Sequence, residues 1–387
     1  MPMPSPRLFL DHNAGAPVLP EALDAAVAAA RAGGNASSVH AEGRAARMRV
    51  EAARRAVAAL TGAATAGVVF TAGATEANVF ALTPRLRIGT VDVTIDRLLI
   101  GATEHPSVLS GGRFAADRVE RIGVDGEGLL RLDRLEARLA AIAASGERAM
   151  VSVQLANSET GVIQPIAKIA RIARAHGAVV HSDVVQAAGR LALDVPGLDV
   201  DMMSLSAHKI GGLPGCGALV LRNPEVVPAA LIPGGGQEGN RRAGTQNVPG
   251  IVAFGVAAEV ARSRISTFGG MQTLRERLEQ RLLSHSSNVK VLGAGAPRLC
   301  NTTMVAQAGV SAETAVIAFD LEGVAISAGS ACSSGKVGPS HVVEAMGLEA
   351  DLARSALRVS LGTETSVDDV DRFVEVWRRV IGRLAKG

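Results

Sequence analysis

The sequence predicts an α/β protein: a large domain on a mostly parallel sheet, followed by a smaller C-terminal α+β domain. Three observations point there. Short apolar runs rich in Val, Leu, Ile and Met alternate with longer amphipathic stretches through most of the chain. Several of these runs end on a polar residue, at His105, Asn157, Asp183 and Ser206, and open α/β sheets bind ligands at the carboxyl ends of their strands. Beyond residue 262 the order changes to helix, two strands, helix, strand and helices, which reads as a separate unit.

Taken in order, residues 7–10 form a short apolar strand that ends in the turn-rich D11-H-N-A-G-A-P17. Pro20 opens a helix at its favoured first position, and Gly33-Gly34 stops it. The loop N35-A-S-S-V-H40 leads into a long amphipathic helix through Leu60, closed by Gly62. V68-V-F70 is a buried strand, and T71-A-G-A-T-E-A-N-V-F-A81 reads as strand, glycine turn and helix start. Backbone amides at such a start can hold a phosphate around Gly73, Ala74 and Thr75; an ordinary strand-to-helix turn is the plainer alternative. Strands follow at R97-L-L-I-G-A-T-E-H105, A149-M-V-S-V-Q-L-A156, A178-V-V-H-S-D183, M202-M-S-L-S206 and A218-L-V-L221, with a helix from Ala167 to His176. A helix from about Gly250 to Arg262 runs into S263-R-I-S-T-F-G-G270, read as a joint. The expected division is an arm over 1–15 that packs with the small domain, a large domain over 16–262 and a small one over 263–387.

Composition excludes several classes. The chain has 387 residues, 48% hydrophobic and 20% charged, which is globular rather than disordered. With aromatics at 2%, no tyrosine and one tryptophan, Trp377, the core is expected to be Ala, Val, Leu and Ile. A formal charge of +3, with arginines scattered among acids, does not suggest nucleic acid. The first ten residues lack the apolar run of a signal peptide, and no stretch approaches the roughly 18 apolar residues of a membrane helix. Cys216, Cys300 and Cys332 are too scattered for a disulfide framework or a metal cluster, so the expectation is a cytoplasmic protein with reduced thiols.

The chemistry centres on Lys209. Arginine supplies nearly all the positive charge, and the only lysines are Lys168, Lys209, Lys290, Lys336 and Lys386. Arginine cannot lose its proton, whereas a lysine amine can and then condenses with an aldehyde. Lys209 follows a strand, precedes a glycine-rich turn and has Ser206 and His208 beside it, a seat for a Schiff base with pyridoxal phosphate. A surface lysine before a Gly-Gly turn is the bland alternative. Such a cofactor also needs a carboxylate at its pyridine nitrogen, phosphate donors and a flanker for its ring. Asp183 and His105 stand at other strand ends, and Gln186 can reach the ring oxygen. Singly, Asp183 reads as a helix cap and His105 as a loop histidine; their joint placement argues for one cleft.

F70-T-A-G-A-T-E-A-N78, T103-E-H105, N157-S-E-T-G161, H181-S-D-V-V-Q186, S204-L-S-A-H-K209, G234-G-G-Q-E-G-N-R-R-A-G-T245 and S327-A-G-S-A-C-S-S334, in this order and spacing, resemble the cysteine desulfurases, in the class V branch of the fold-type I pyridoxal-phosphate enzymes. The resemblance runs from L8-F-L-D11 to R358-V-S-L-G362. It implies a seven-stranded sheet and a homodimer acting on L-cysteine. Lys209 would hold the cofactor and later move the α-proton, Asp183 would pair with the pyridinium, Gln186 with the ring oxygen, and His105 would stack on the ring and exchange protons. Ala74, Thr75, Ser206 and His208 would bind the phosphate, with Thr245 reaching the phosphate of the other subunit. Arg358 would grip the substrate carboxylate, and Cys332 would be the nucleophile that carries a persulfide to an acceptor such as an iron–sulfur scaffold.

Cys332 also reads so from its setting, a Gly/Ser-rich loop, whereas Cys216 and Cys300 read as small buried hydrophobes. The chain departs from the family at Asn157-Ser158, where two asparagines are usual. The second normally contacts the ring, so Ser158 takes that position and Asn157 is assigned to the substrate side. A14-G-A-P17 lacks two hydroxyls near the substrate mouth, and N35-A-S-S lacks the usual proline. The alternatives are a related class V enzyme (a selenocysteine lyase or an aminotransferase) and a weakly active paralogue serving as a sulfur-delivery partner.

Overall fold

Strands buried on both faces read as near-continuous apolar runs, and the central sheet is made of them. In the computed structural model, which describes residues 7–329 and 340–385, seven strands form it: β1 (Val68–Thr71), β2 (Arg97–Gly101), β3 (Val119–Ile122), β4 (Ala149–Ser152), β5 (Val179–Asp183), β6 (Met202–Ser206) and β7 (Gly217–Leu221). Their order is β1-β7-β6-β5-β4-β2-β3, parallel except for β7, which is antiparallel to both neighbours. The chain moves outward from β2 to β3, then returns through β4, β5 and β6, so the carboxyl edge has its switch point between β2 and β4.

Alternate side chains serve opposite faces of each strand. Leu99, Val151, Val180, Met203 and Val220 pack with α2 (Ala41–Thr61), α4 (Leu132–Ala144), α5 (Ile166–Ala175) and α6 (Val248–Phe268). Leu98, Met150, Val179, Met202 and Leu219 pack on the other face with Phe80 and Ala81 of α3 (Ala74–Ala81). Helix α1 (Pro20–Ala32) lies outside, against α6, through Ala22, Ala26 and Ala253. Gly62 ends α2 with φ 71° and ψ 16°, the left-handed cap that glycine adopts without strain.

The second unit has an antiparallel sheet of β8 (Val289–Val291), β9 (Thr302–Gln307), β10 (Ser327–Ala328) and β11 (Ala356–Ser360), in the order β8-β9-β11-β10. Helices α7 (Met271–Leu283), α8 (Ala312–Leu321) and α9 (Val367–Leu384) pack against it. Leu8–Phe9 pairs in parallel with Val324–Ala325, and Asp11 bridges Ser360, so the first described residues lie along this unit.

Two readings of the sequence need correction, and one strand is added. The stretch 263–270 is not a joint: α6 runs unbroken to Phe268, and only Gly269 and Gly270 separate it from α7. Ser263 and Thr267 fit the helix because their hydroxyls donate back to the carbonyls of Val260 and Arg264. Strand β3, V-E-R-I at the sheet edge, is half charged and carries no apolar run, so periodicity does not mark it as a strand. The aromatics are few but not marginal: Phe319, Phe373 and Trp377 are fully buried together, with Phe319–Phe373 centroids 5.6 Å apart, at the centre of the small unit's core.

Candidate active site

Where β1, β2, β4, β5 and β6 end, a cavity of about 790 Å³ opens, and Arg358 from β11 reaches its wall. It is lined by Ala74, Thr75, His105, Ser158, Asp183, Gln186, Ser206, His208, Lys209 and Arg358, residues drawn from segments far apart in the chain. Asn157 and Thr245 are not among its lining residues. The Asn157 side chain is spent on other partners: Oδ1 accepts from the backbone N–H groups of Glu159 and Thr160 in its own turn, and Nδ2 donates to the Thr103 carbonyl. Thr245 is exposed, in a loop that the Arg242–Glu76 ion pair (2.8 Å) ties to the first turn of α3. Cys332 lies outside the described residues.

One glycine brings the α3 end of the cleft together. A Cβ on Gly217 would lie 2.5 Å from the Gly73 carbonyl carbon, so only glycine lets β7 pass this close to the turn before α3. Gly217 pairs with both Thr71 and Ser206, which sets the N-terminus of α3 beside the end of β6. There the Ser206 hydroxyl lies 2.8 Å from His208 Nδ1. Burial, aided by Lys209, pushes the His208 pKa down to about 4, so this ring is neutral near pH 7.

Lys209 ends the short turn Ala207–Lys209 after β6, and its Nζ donates to the carbonyls of Asn13 (2.6 Å) and Ala14 (2.9 Å). Asp183 ends β5 and is buried; its Oδ1 accepts from the Val185 N–H and its Oδ2 from Asn78 Nδ2 at 2.8 Å. Gln186 donates through Nε2 to the Asn13 carbonyl, while its Oε1 accepts from Arg190. Because arginine only donates, Arg190 fixes this amide with its NH₂ on the Asn13 side. His105 caps the short helix Pro106–Leu109, its Nδ1 accepting from the Ser107 N–H; burial chiefly, with Lys209 and His341 against Asp183, holds its pKa below the ordinary value.

Arg358 donates through Nη1 to the Ser158 carbonyl (3.1 Å) and through Nη2 to Asp11 (2.7 Å), while its buried Nε has no partner among the described residues. Ser158 therefore meets the site through its main chain as well as by lining the cleft. The Asp11 carboxylate is steadied in turn by the Ser327 hydroxyl at 2.8 Å.

Sequence reasoning missed four contributors. Asn13 carries both carbonyl contacts just described, and its side chain donates to Ser158 O and Thr302 Oγ1. Asn78 and Ser107 stand behind Asp183 and His105. Glu159 is buried, takes a 2.5 Å hydrogen bond from Ser340, and has its pKa pushed up to about 7 by burial. Asn78 and Glu159 lay inside the quoted motifs, but no local feature named their partners. Among the described residues no cluster suits a metal ion, and no helix is long and apolar enough to cross a membrane.

Fold and site together define a two-unit α/β protein whose sheet edge holds an amine, a buried carboxylate and a helix N-terminus, with an arginine brought from the second unit. The class-V aminotransferase family model matches residues 8–373. A cysteine desulfurase of Cereibacter sphaeroides is 41% identical, covering 98% of this chain and 96% of that one, and one of Gluconacetobacter diazotrophicus is 39% identical, covering 97% and 94%. Among solved structures, a NifS-like protein from Rickettsia africae superposes with a TM-score of 0.86 at 31% identity, covering 97% of this chain and 99% of that one. SspA in complex with cysteine superposes with a TM-score of 0.72 at 28% identity, covering 91% and 98%. The chain belongs to the class-V aminotransferase family, within its cysteine desulfurases.

Proposed function

We propose that this protein is a pyridoxal-phosphate-dependent desulfurase that converts L-cysteine to L-alanine, leaving the sulfur as a persulfide on Cys332 for an acceptor such as an iron–sulfur assembly scaffold. The observation that carries the reading is a single cleft holding the Lys209 amine, the buried Asp183 carboxylate and the Arg358 guanidinium. The residues fit the cofactor. Among the described residues each Asp183 oxygen takes one hydrogen bond, which leaves lone pairs for a protonated ring nitrogen. Ala74 and Thr75 at the start of α3, with Ser206 and His208, suit a phosphate, and Thr245 of a second copy would complete it. Lys209 would anchor the group, with His105, Gln186 and Ser158 around its ring.

When bound, the cofactor supplies an electron sink for bonds broken at the substrate's α-carbon. Arg358, whose buried Nε–H has no partner among the described residues, binds and orients the substrate carboxylate. Lys209 Nζ moves the α-proton. Cys332, as thiolate, takes the sulfur: the substrate's C–S bond breaks, an S–S bond forms and the β-carbon gains a proton. One cysteine and one protein thiol thus give one alanine and one persulfide.

Incubating the purified protein with L-cysteine tests this. With one equivalent of L-cysteine and no other thiol, alanine should form for a single turnover and mass spectrometry should find one added sulfur; with excess cysteine and a thiol reductant, alanine should form continuously. Alanine that appears only when a keto acid is consumed would favour an aminotransferase instead.

A further inference from the structure

Asn78 is wholly buried on α3, and its Nδ2 gives two hydrogen bonds, to Asp183 Oδ2 at 2.8 Å and to Ser107 Oγ at 2.9 Å. Its Oδ1 is buried with no partner among the described residues. A flipped amide would set Oδ1 against the Asp183 oxygen, acceptor against acceptor, so the orientation is forced despite the unpaired carbonyl. Ser107 Oγ therefore receives a hydrogen from Asn78 and keeps its own to give. That oxygen lies 2.7 Å from His105 Nδ1, which also accepts from the Ser107 backbone N–H at 3.1 Å. A ring nitrogen with two donors aimed at it carries no hydrogen, so the hydrogen of the neutral ring sits on Nε2. His105 lines the cleft, and Nδ1 is turned into its own helix start.

We infer that Asn78 is a positioning residue: it commits the Ser107 hydroxyl to His105 Nδ1, so that His105 faces the cleft as a neutral ring offering an Nε2–H donor rather than as an open base. Asp183 at the end of β5 favours a charged ring, while Lys209 beyond β6 and His341 of the helix His341–Ala345 oppose it. The chain Asp183–Asn78–Ser107–His105 thus links the carboxylate to the ring's protonation. The inference rests on the proposed function only in taking this cleft as the active site.

The test is nitrogen NMR of ¹⁵N-histidine-labelled full-length protein, as purified and after adding pyridoxal phosphate, which reads the tautomer and pKa of His105 directly. Wild type should show the Nε2–H tautomer in both. Asn78→Ala and Ser107→Ala should each raise the His105 pKa by roughly 0.4 to 1 unit, the effect of one lost hydrogen bond to the neutral ring. The double variant should rise no further than Ser107→Ala, and Ser107→Thr, which keeps the hydroxyl, should restore the wild-type value. If Asn78→Ala does not fold, Asn78→Ser replaces it, because its short side chain cannot reach both partners and the same rise is expected. An Nδ1–H tautomer in wild type, an unmoved pKa in the Asn78 variant, or rises that add in the double variant would overturn the inference. None of these readings depends on cysteine turnover, so a protein that forms no alanine yet shows the tautomer would sink the desulfurase reading alone.

Discussion

A thiol reacts as its thiolate, so its surroundings decide whether it can act as a nucleophile. Burial pushes the Cys216 pKa up to about 12, and burial also raises that of Cys300, whose Sγ lies 3.3 Å from the Phe268 carbonyl. Neither offers appreciable thiolate near neutral pH, which fits the proposed assignment of the chemistry to Cys332. Cys332→Ser should keep cofactor binding but reduce alanine formation at least about 100-fold, because serine is scarcely ionised and cannot hold a persulfide. Cys216→Ser and Cys300→Ser should stay within about threefold of wild type. Alanine assays on the three variants, with mass spectrometry locating the added sulfur, check this; sulfur found on Cys216 would overturn it. His181 shows why residue type alone misleads. It lies in a motif with Asp183, yet it is wholly buried between the hydroxyls of Ser152 and Ser204, with its pKa pushed down to about 3 by burial, a neutral pin between strands.

At the scale of elements, the sheet brings the strand ends together and Glu159 joins them to the second unit. Glu159 lies in the turn at 158–160 beyond β4 and takes the Ser340 hydroxyl, while a Cβ on Gly329 would lie 2.8 Å from its Oε2. Gly329 and Ser340 flank the segment 330–339 that carries Cys332. With its pKa raised from 4.5 to about 7, Glu159 keeps a proton in the folded state that the unfolded chain loses. Its contribution is therefore fully present below about pH 4.5 and disappears as pH rises through about 7, on the order of 3 kcal/mol in all. Glu104, buried and raised in the same direction, adds to the trend. Glu159→Gln should thus lose less stability than wild type between about pH 5.5 and 8 in urea unfolding. An identical pH slope in the two proteins would mean that Glu159 is ionised in the fold.

At the scale of the whole molecule, the cleft draws on both units and Thr245 stands apart from it. The loop before Thr245 is held hard: Glu238, at φ 49°, is buried against Arg54 at 2.6 Å and accepts from the Phe70 N–H and from Gln246. A loop anchored this firmly yet exposed at Thr245 fits the proposed completion of a second copy's phosphate site. The protein should then sediment as a homodimer, and cofactor at about 100 times its Kd should stabilise it by about 2.7 kcal/mol. Thr245→Ala should weaken cofactor binding severalfold without altering either subunit's fold. A fully active monomer at assay concentration would exclude this arrangement.

Much of this was legible in the sequence, because the features concerned are local. Apolar runs, glycine stops and polar strand ends marked β1, β2 and β4 to β7, and a lysine and an aspartate at neighbouring strand ends already implied one cleft. What only the tertiary structure decided lies in contacts between distant residues: Asn78 with Asp183 across 105 positions, Lys209 with Asn13 across 196, Arg358 with Asp11 across 347. No local pattern encodes such partners, because a hydrogen bond needs its two groups within about 3 Å while sequence periodicity sets only the face on which each side chain lies. The same limit hid the spent side chain of Asn157 and the continuation of α6 through 263–268. In both, hydrogen bonds within the segment, unseen from residue type, outweighed what the residues suggested on their own.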